Sequence, residues 1–312
     1  MTEKKVLLAV LAHPDDETFG TGGSLAYYAG QGVEVHLVCA TRGEVGEVDP
    51  ELLGDFNSVG ELREHELRCA AGHLGLTGVH FLDYRDSGMA GSPENHHPQA
   101  LAAADQQKVV GDIVHYIRLL KPQVVITFDP IGGYMHPDHI AIHKAADKAF
   151  YAAADPAQYP SGLPAWKAQK LYYHTFPRGF LRTTVWLMKL TGRDPSRFGK
   201  NQDIDLTKIS EAKFPIHAAV DYRHVLEKKK QAVACHASQG GMRITSGCVL
   251  AGSVANTGTS GRPQPARARS TAPAAGARSM PTLTMSTPQS PTAATRPRIS
   301  SSACIGTSPI VA

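Results

Sequence analysis

Two histidine-bearing segments hold the residue types that bind a divalent metal and move protons. The first is Ala12-His13-Pro14-Asp15-Asp16-Glu17; in the second, Phe128-Asp129-Pro130 leads through Gly132-Gly133 to Tyr134-Met135-His136-Pro137-Asp138-His139. Imidazole nitrogens and carboxylate oxygens suit Zn²⁺ or a similar divalent ion. A catalytic zinc commonly takes three protein ligands and leaves a position for water, so His13, Asp16 and His139 form a candidate set. Asp15 and His136 then remain for acid-base and electrostatic work. Taken alone, the first segment could be only a turn, with Pro14 fixing the backbone and Asp15 or Asp16 capping the next helix. The second His-Pro-Asp sequence is what favours a shared site.

Such a site requires elements that bring two segments about 120 residues apart to one place. Short apolar runs alternate with helical patterns through the first half of the chain, the signature of βαβ units and a mainly parallel sheet. The pattern predicts strands at 5–12, 33–40, 79–82, 123–128 and 170–175. It predicts helices at 23–31, 59–74, 99–120, 139–153, around 180–190 and at 221–237. The expected architecture is a Rossmann-like α/β sheet flanked by helices, with the chemistry-bearing loops at the C-terminal ends of the strands.

The chain has 312 residues, 42% hydrophobic and 19% charged, a composition suited to a globular protein with a sizeable core. No run of about 18 apolar residues occurs, so no membrane-spanning helix is expected. Val6 to Ala12 reads as a buried strand rather than the core of a signal peptide. Residues 241–312 hold seven Arg, no Lys and no acid, and Glu227 is the last acidic residue. Residues 1–240 therefore carry 25 basic and 28 acidic side chains, a net of −3, which argues against nucleic-acid binding. The division expected is a folded domain over 1–240 and a low-complexity basic tail over 241–312, disordered or the product of a reading-frame shift. Five scattered cysteines without a C-x-x-C pair suggest a reducing, cytoplasmic setting with no disulfide framework. Cys39, Cys69 and Cys235 read as inert core residues.

The two metal motifs, in this order, resemble those of the LmbE/PIG-L-like family of zinc-dependent N-acetylglucosaminyl deacetylases. Gly60-Glu61-Leu62-Arg63-Glu64-His65-Glu66-Leu67 is similar to the family's arginine-bearing helix, Arg85-Asp86-Ser87-Gly88-Met89-Ala90-Gly91 to its substrate loop, and 230–239 to its late helix. The resemblance implies that His13, Asp16 and His139 bind zinc, that Asp15 is the general base and that His136 stabilises the oxyanion. It further implies that Tyr134 assists at the tetrahedral centre and that Arg63 and Asp86 contact sugar hydroxyls. The substrate implied is a small N-acetylated amino sugar, and a homo-oligomer is left open. Fe²⁺ is the other metal these ligands accept.

Amide hydrolysis needs a nucleophile and a place for negative charge. A bound zinc provides both, lowering the pKa of its water toward about 7 and polarising the carbonyl. Asp15, next to a ligand yet free to face the water, is the natural proton acceptor, and a cationic His136 would oppose the developing oxyanion. Two other functions compete: an amidase cleaving a larger glucosaminyl amide such as a thiol S-conjugate, and a non-catalytic Rossmann-like metal-binding protein. His36, His73, His80 and His115 read as structural or solvent-facing, while His143 leans to structural and His236 either approaches the site or packs beneath it.

Overall fold

A computed structural model describes residues 4–175, 178–198, 202, 204–212, 214–241 and the backbone of 285–286. In chain order the elements are β1 (Val6–Leu11), α1 (Asp16–Phe19), α2 (Gly22–Gly30), β2 (Glu34–Cys39), α3 (Pro50–Leu53), α4 (Val59–Leu74) and β3 (Gly78–Phe81). Then come α5 (Gln106–Leu120), β4 (Val124–Phe128), α6 (Gly132–Met135), α7 (Pro137–Ala152), β5 (Lys170–His174), α8 (Arg178–Leu190), α9 (Leu206–Glu211) and α10 (Leu226–Cys235). Five parallel strands in the order β3-β2-β1-β4-β5 form the sheet. A two-residue strand, β6 (Met285–Ser286), pairs antiparallel with the β5 edge. The Rossmann-like expectation holds, and the rest of the expected tail lies outside the described residues.

The all-apolar β1 is buried along its whole length, as a central strand covered on both faces must be. The chain runs outward from β1 through β2 to β3, then returns to β4 on the other side of β1. This reversal puts the crossovers before and after it on opposite faces of the sheet and opens a crevice beyond the ends of β1 and β4. Helices α5 and α7 pack together on one group of contacts, and α2, α4 and α10 on another.

Local chemistry sets the helix ends. Ser58 caps α4 by accepting the Glu61 N–H, and Gly75 ends it in the left-handed region. Helix α5 starts at Gln106 rather than near 99, because Asp105 caps it and Arg85 and Ala100 pair as a bridge ahead of it. The guanidinium of Arg118 is buried on α5, where it donates to the carbonyls of Ala152, Ala153, Asp155, Gln158 and Tyr159. It thereby fixes the end of α7, the helix that carries His139.

The cysteine expectation is overturned. Cys69 and Cys235 are disulfide-bonded across α4 and α10, with Cα atoms 5.9 Å apart, and Cys69 is exposed rather than core. Its position lies off the buried stripe of α4 formed by Arg63, Glu66, Leu67, Ala70 and Leu74. Only the packing of α10 on α4 brings its partner alongside. Cys39 is a buried free thiol, as expected, and burial pushes it up in pKa.

Candidate metal centre and active site

The crevice beyond β1 and β4 gathers the two histidine segments. His13 Nδ1 lies 3.2 Å from His139 Nε2. The Asp16 carboxylate lies 3.4 Å from His139 Nε2 and 3.7 Å from His13 Nδ1. Three donors at these separations suit one ion about 2.1 Å from each. The far ring nitrogens are already engaged: His13 Nε2 faces Asp138 Oδ2 at 3.0 Å, and His139 Nδ1 faces the Gly132 carbonyl at 3.2 Å. Those partners accept protons from the far nitrogens and leave Nδ1 of His13 and Nε2 of His139 as lone-pair donors to a metal. Burial works against charge on His13, but Asp86 and Asp138 outweigh it and raise its pKa. These carboxylates thus favour positive charge on the His13 ring. The residues present fit a divalent cation.

Gly132 is required where it stands. Its φ is +64°, and a Cβ there would lie 2.7 Å from the Cβ of His139. Gly43 is constrained similarly: at φ +67° its Cβ would fall 2.0 Å from Nη1 of Arg63.

Asp15 stands beside the donors with φ +113°, a conformation that costs on the order of 1–3 kcal/mol for a residue other than glycine. Two contacts hold it there. Its N–H donates to Glu17 Oε2 at 2.9 Å, and its Oδ2 accepts from Arg63 Nη2 at 3.1 Å. Burial raises its pKa to about 6 against the pull of Arg63, within reach of a general base at neutral pH. Arg63 also donates to the carbonyls of Pro14 and Gly43, at 2.7 and 2.9 Å. Its Nη2 therefore serves the base and its loop, while Nη1 ties it to the loop after β2.

His136 is positioned by its own helix. It is the N-cap of α7, with Pro137 in the first turn, and its Nδ1 accepts the Asp138 N–H at 3.2 Å. Nε2 is then the protonated nitrogen. Burial, with His13 and His139 nearby, lowers its pKa to about 2. These surroundings favour a neutral imidazole that offers an N–H over the cationic His136 expected from sequence. Tyr134, whose ring lies 4.9 Å from that of His139, is pushed up by burial and by Asp16 and Asp15, so its phenol keeps its proton. The Asp86 carboxylate is 3.5 Å from His13 Nε2 and accepts the Gly88 N–H at 2.8 Å.

His13, Asp15, Arg63, Asp86, Tyr134 and His136 line one cavity of about 810 Å³. The walls add Glu47, Asp49, Met89 and residues 237–240, a polar lining suited to a hydroxylated ligand. All eight sequence-predicted site residues lie at or beside this floor.

Three residues matter more than their motifs alone indicated. Asp138 is fully buried and links His13 to the N–H and hydroxyl of Ser87. Its place inside the second motif was the available signal. Glu17 and His236 form a fully buried pair, Nε2 to Oε1 at 2.8 Å. His236 therefore packs beneath the site, and Glu17 connects it to the backbone of Asp15. His143 is structural: its Nδ1 meets the Phe128 carbonyl at 2.8 Å.

The model of the family described as PIG-L, GlcNAc-PI de-N-acetylase, matches residues 8–150. A Geodermatophilus obscurus protein named 1D-myo-inositol 2-acetamido-2-deoxy-alpha-D-glucopyranoside deacetylase is 40% identical over 248 residues, 77% of this chain and 84% of its own. A Thermobifida fusca protein of the same name is 39% identical over 77% and 84% of the two chains. Among solved structures, the N,N'-diacetylchitobiose deacetylase of Pyrococcus horikoshii superposes with a TM-score of 0.52 at 24% identity, over 76% of this chain and 71% of that one. The 4-carboxy-2-hydroxymuconate hydratase GalB of Pseudomonas putida reaches the same TM-score at 23% identity, over 81% and 90%. These two likenesses concern the fold, which evidently hosts more than one chemistry.

Proposed function

Because this chain belongs to the GlcNAc-PI de-N-acetylase family, we propose that it is a metal-dependent hydrolase that removes the acetyl group from an N-acetylglucosamine-containing small molecule. The observation that carries the reading is the convergence of His13, Asp16 and His139 within 3.2–3.7 Å, with Asp15 beside them under an open polar cavity. The names of the relatives point to GlcNAc-inositol as the substrate. Zinc as the metal and the cytoplasm as the setting belong to the same reading. No helix among the described residues is long and apolar enough to cross a membrane.

A divalent ion held by His13, Asp16 and His139 would supply Lewis acidity, polarising the acetyl carbonyl and acidifying a water. Asp15 takes the proton of the attacking water. Its Oδ2 is held by Arg63, which leaves Oδ1 to carry that proton to the departing sugar nitrogen. The Nε2–H of His136 and the phenol of Tyr134 donate to the oxyanion as it forms. Asp86 and the polar wall bind the sugar hydroxyls, and the products are a free amine and acetate.

The test is acetate release from GlcNAc-inositol by the full chain, before and after chelation and with Zn²⁺ or Fe²⁺ restored. Turnover that disappears on chelation and returns with metal is expected. Absence of acetate release, with a thiol S-conjugate cleaved instead, would transfer the reading to the larger-amide reaction.

A further inference from the structure

The bond between Cys69 and Cys235 lies outside the catalytic residues yet ends on the wall of their cavity. Cys235 is the last residue of α10. Directly after it come His236, bonded to Glu17, and residues 237–240, which line the cavity. Ser238 is tied to Glu66 of α4 through its N–H at 2.8 Å and its hydroxyl at 2.6 Å, and Glu66 precedes Cys69 by one helical turn. Cys69 is exposed and Cys235 half-buried, and a ring nitrogen of His73, also exposed, lies within 4.8 Å of both sulfurs.

We propose that Cys69–Cys235 is a thiol–disulfide exchange site for a low-molecular-weight thiol, and that its opening loosens the 236–241 wall of the substrate cavity. A thiolate attacks the accessible Cys69 sulfur. The sulfur–sulfur bond breaks, its electron pair leaves on Cys235 as thiolate, and Cys69 carries a mixed disulfide. A second thiolate attacks the small-molecule sulfur of that mixed disulfide, releasing Cys69 as thiolate and a low-molecular-weight disulfide. Two thiols are oxidised and one protein disulfide is reduced, so the electrons balance. His73 stands where it can accept the proton of an incoming thiol and return it to the departing sulfur.

Opening loosens the wall without detaching it. The Glu17–His236 and Glu66–Ser238 bonds remain, and Ala232 stays packed with Ala26, Ala70 and Leu74. His236 is linked to Asp15 through Glu17, and opening leaves that link in place, so the effect falls on substrate affinity more than on turnover.

The experiment equilibrates the full chain with oxidised glutathione, then with reduced glutathione, and reads three quantities: the linked 69/235 peptide by mass spectrometry, amide exchange over 236–241, and KM and kcat for GlcNAc-inositol. The oxidised protein should show the linked peptide. On reduction, exchange over 236–241 should quicken and KM rise about five-fold with kcat within about two-fold. The double variant Cys69→Ser/Cys235→Ser should show the reduced values in both buffers, and His73→Gln should slow opening about ten-fold. Failure of oxidised glutathione to produce the linked peptide overturns the proposal, as does a linked peptide whose cleavage leaves exchange over 236–241 unchanged. The kinetic readout rests on the deacetylase reading. If neither redox form releases acetate, that reading fails, while the peptide and exchange measurements still decide this one.

Discussion

The floor and the far wall of the cavity are held by different kinds of bond. On the floor, His13, Asp15 and Asp16 follow directly from the end of β1, and His136 and His139 occupy the cap and first turn of α7. Their directions are set by neighbours in the chain: Pro137 in the first turn, the Asp138 N–H on His136, and the Gly132 carbonyl on His139. The segment 236–241 forms a short local turn closed on the His236 carbonyl, but its ties to the rest of the protein are long-range. It hangs on His236 to Glu17, Ser238 to Glu66 and Cys235 to Cys69, contacts 219, 172 and 166 residues apart. Chemistry is thus assigned to the rigid side, and adjustment of the opening to the side with few attachments.

Substitutions that separate the two sides should differ in what they change. The largest effect is expected at the floor: Asp15→Asn should lower kcat by about 10³-fold while elemental analysis finds the metal content unchanged. Unaltered hydrolysis would remove Asp15 as the base.

On the wall, His236→Ala leaves the buried Glu17 carboxylate without its partner and should cost about 3 kcal/mol in denaturant unfolding. His236→Gln, which can keep a donor toward Glu17, should recover part of this. Equal losses in the two variants would mean that the pair is not what holds the wall.

His136→Asn sharpens the comparison within the floor. Asn can still cap α7, so thermal stability should hold, but the N–H that reaches the oxyanion is withdrawn and kcat should fall about 10²-fold. A drop in stability with kcat preserved would reverse that assignment.

The smallest effect is a pH dependence at the junction of the two sides. His174, at the end of β5, is lowered to about 4 by burial and by Lys229 of α10. A histidine whose folded pKa lies below the unfolded value near 6.5 contributes fully above 6.5 and loses that contribution as pH falls toward 4. Between pH 7 and pH 5 this amounts to about 2 kcal/mol. His174→Asn should flatten that limb of the stability profile.

Much of the floor was legible before any coordinates, because strand ends, prolines and helix caps place side chains through bonds a few residues long. The 59–74 helix and the strand at the end of which His13 stands follow from periodicity and apolar run length alone. The protonation of His136 was not legible. A histidine's type says nothing of the two rings and the burial that keep it neutral, and these arise only when β1 and α7 converge. Arg63 reads as a sugar-binding residue from its motif, yet its reach to Asp15 depends on how closely Gly43 lets α4 approach the loop after β1.

The amino-acid order by itself determined the alternating βαβ architecture, the metal-ligand types and the proximity of base to ligand, since each depends on local spacing. Tertiary structure alone decided that His236 would meet Glu17, that Cys69 would meet Cys235, and that 237–240 would line the cavity. Those contacts join segments more than 160 residues apart, and no periodicity along the chain encodes which helix will lie against which.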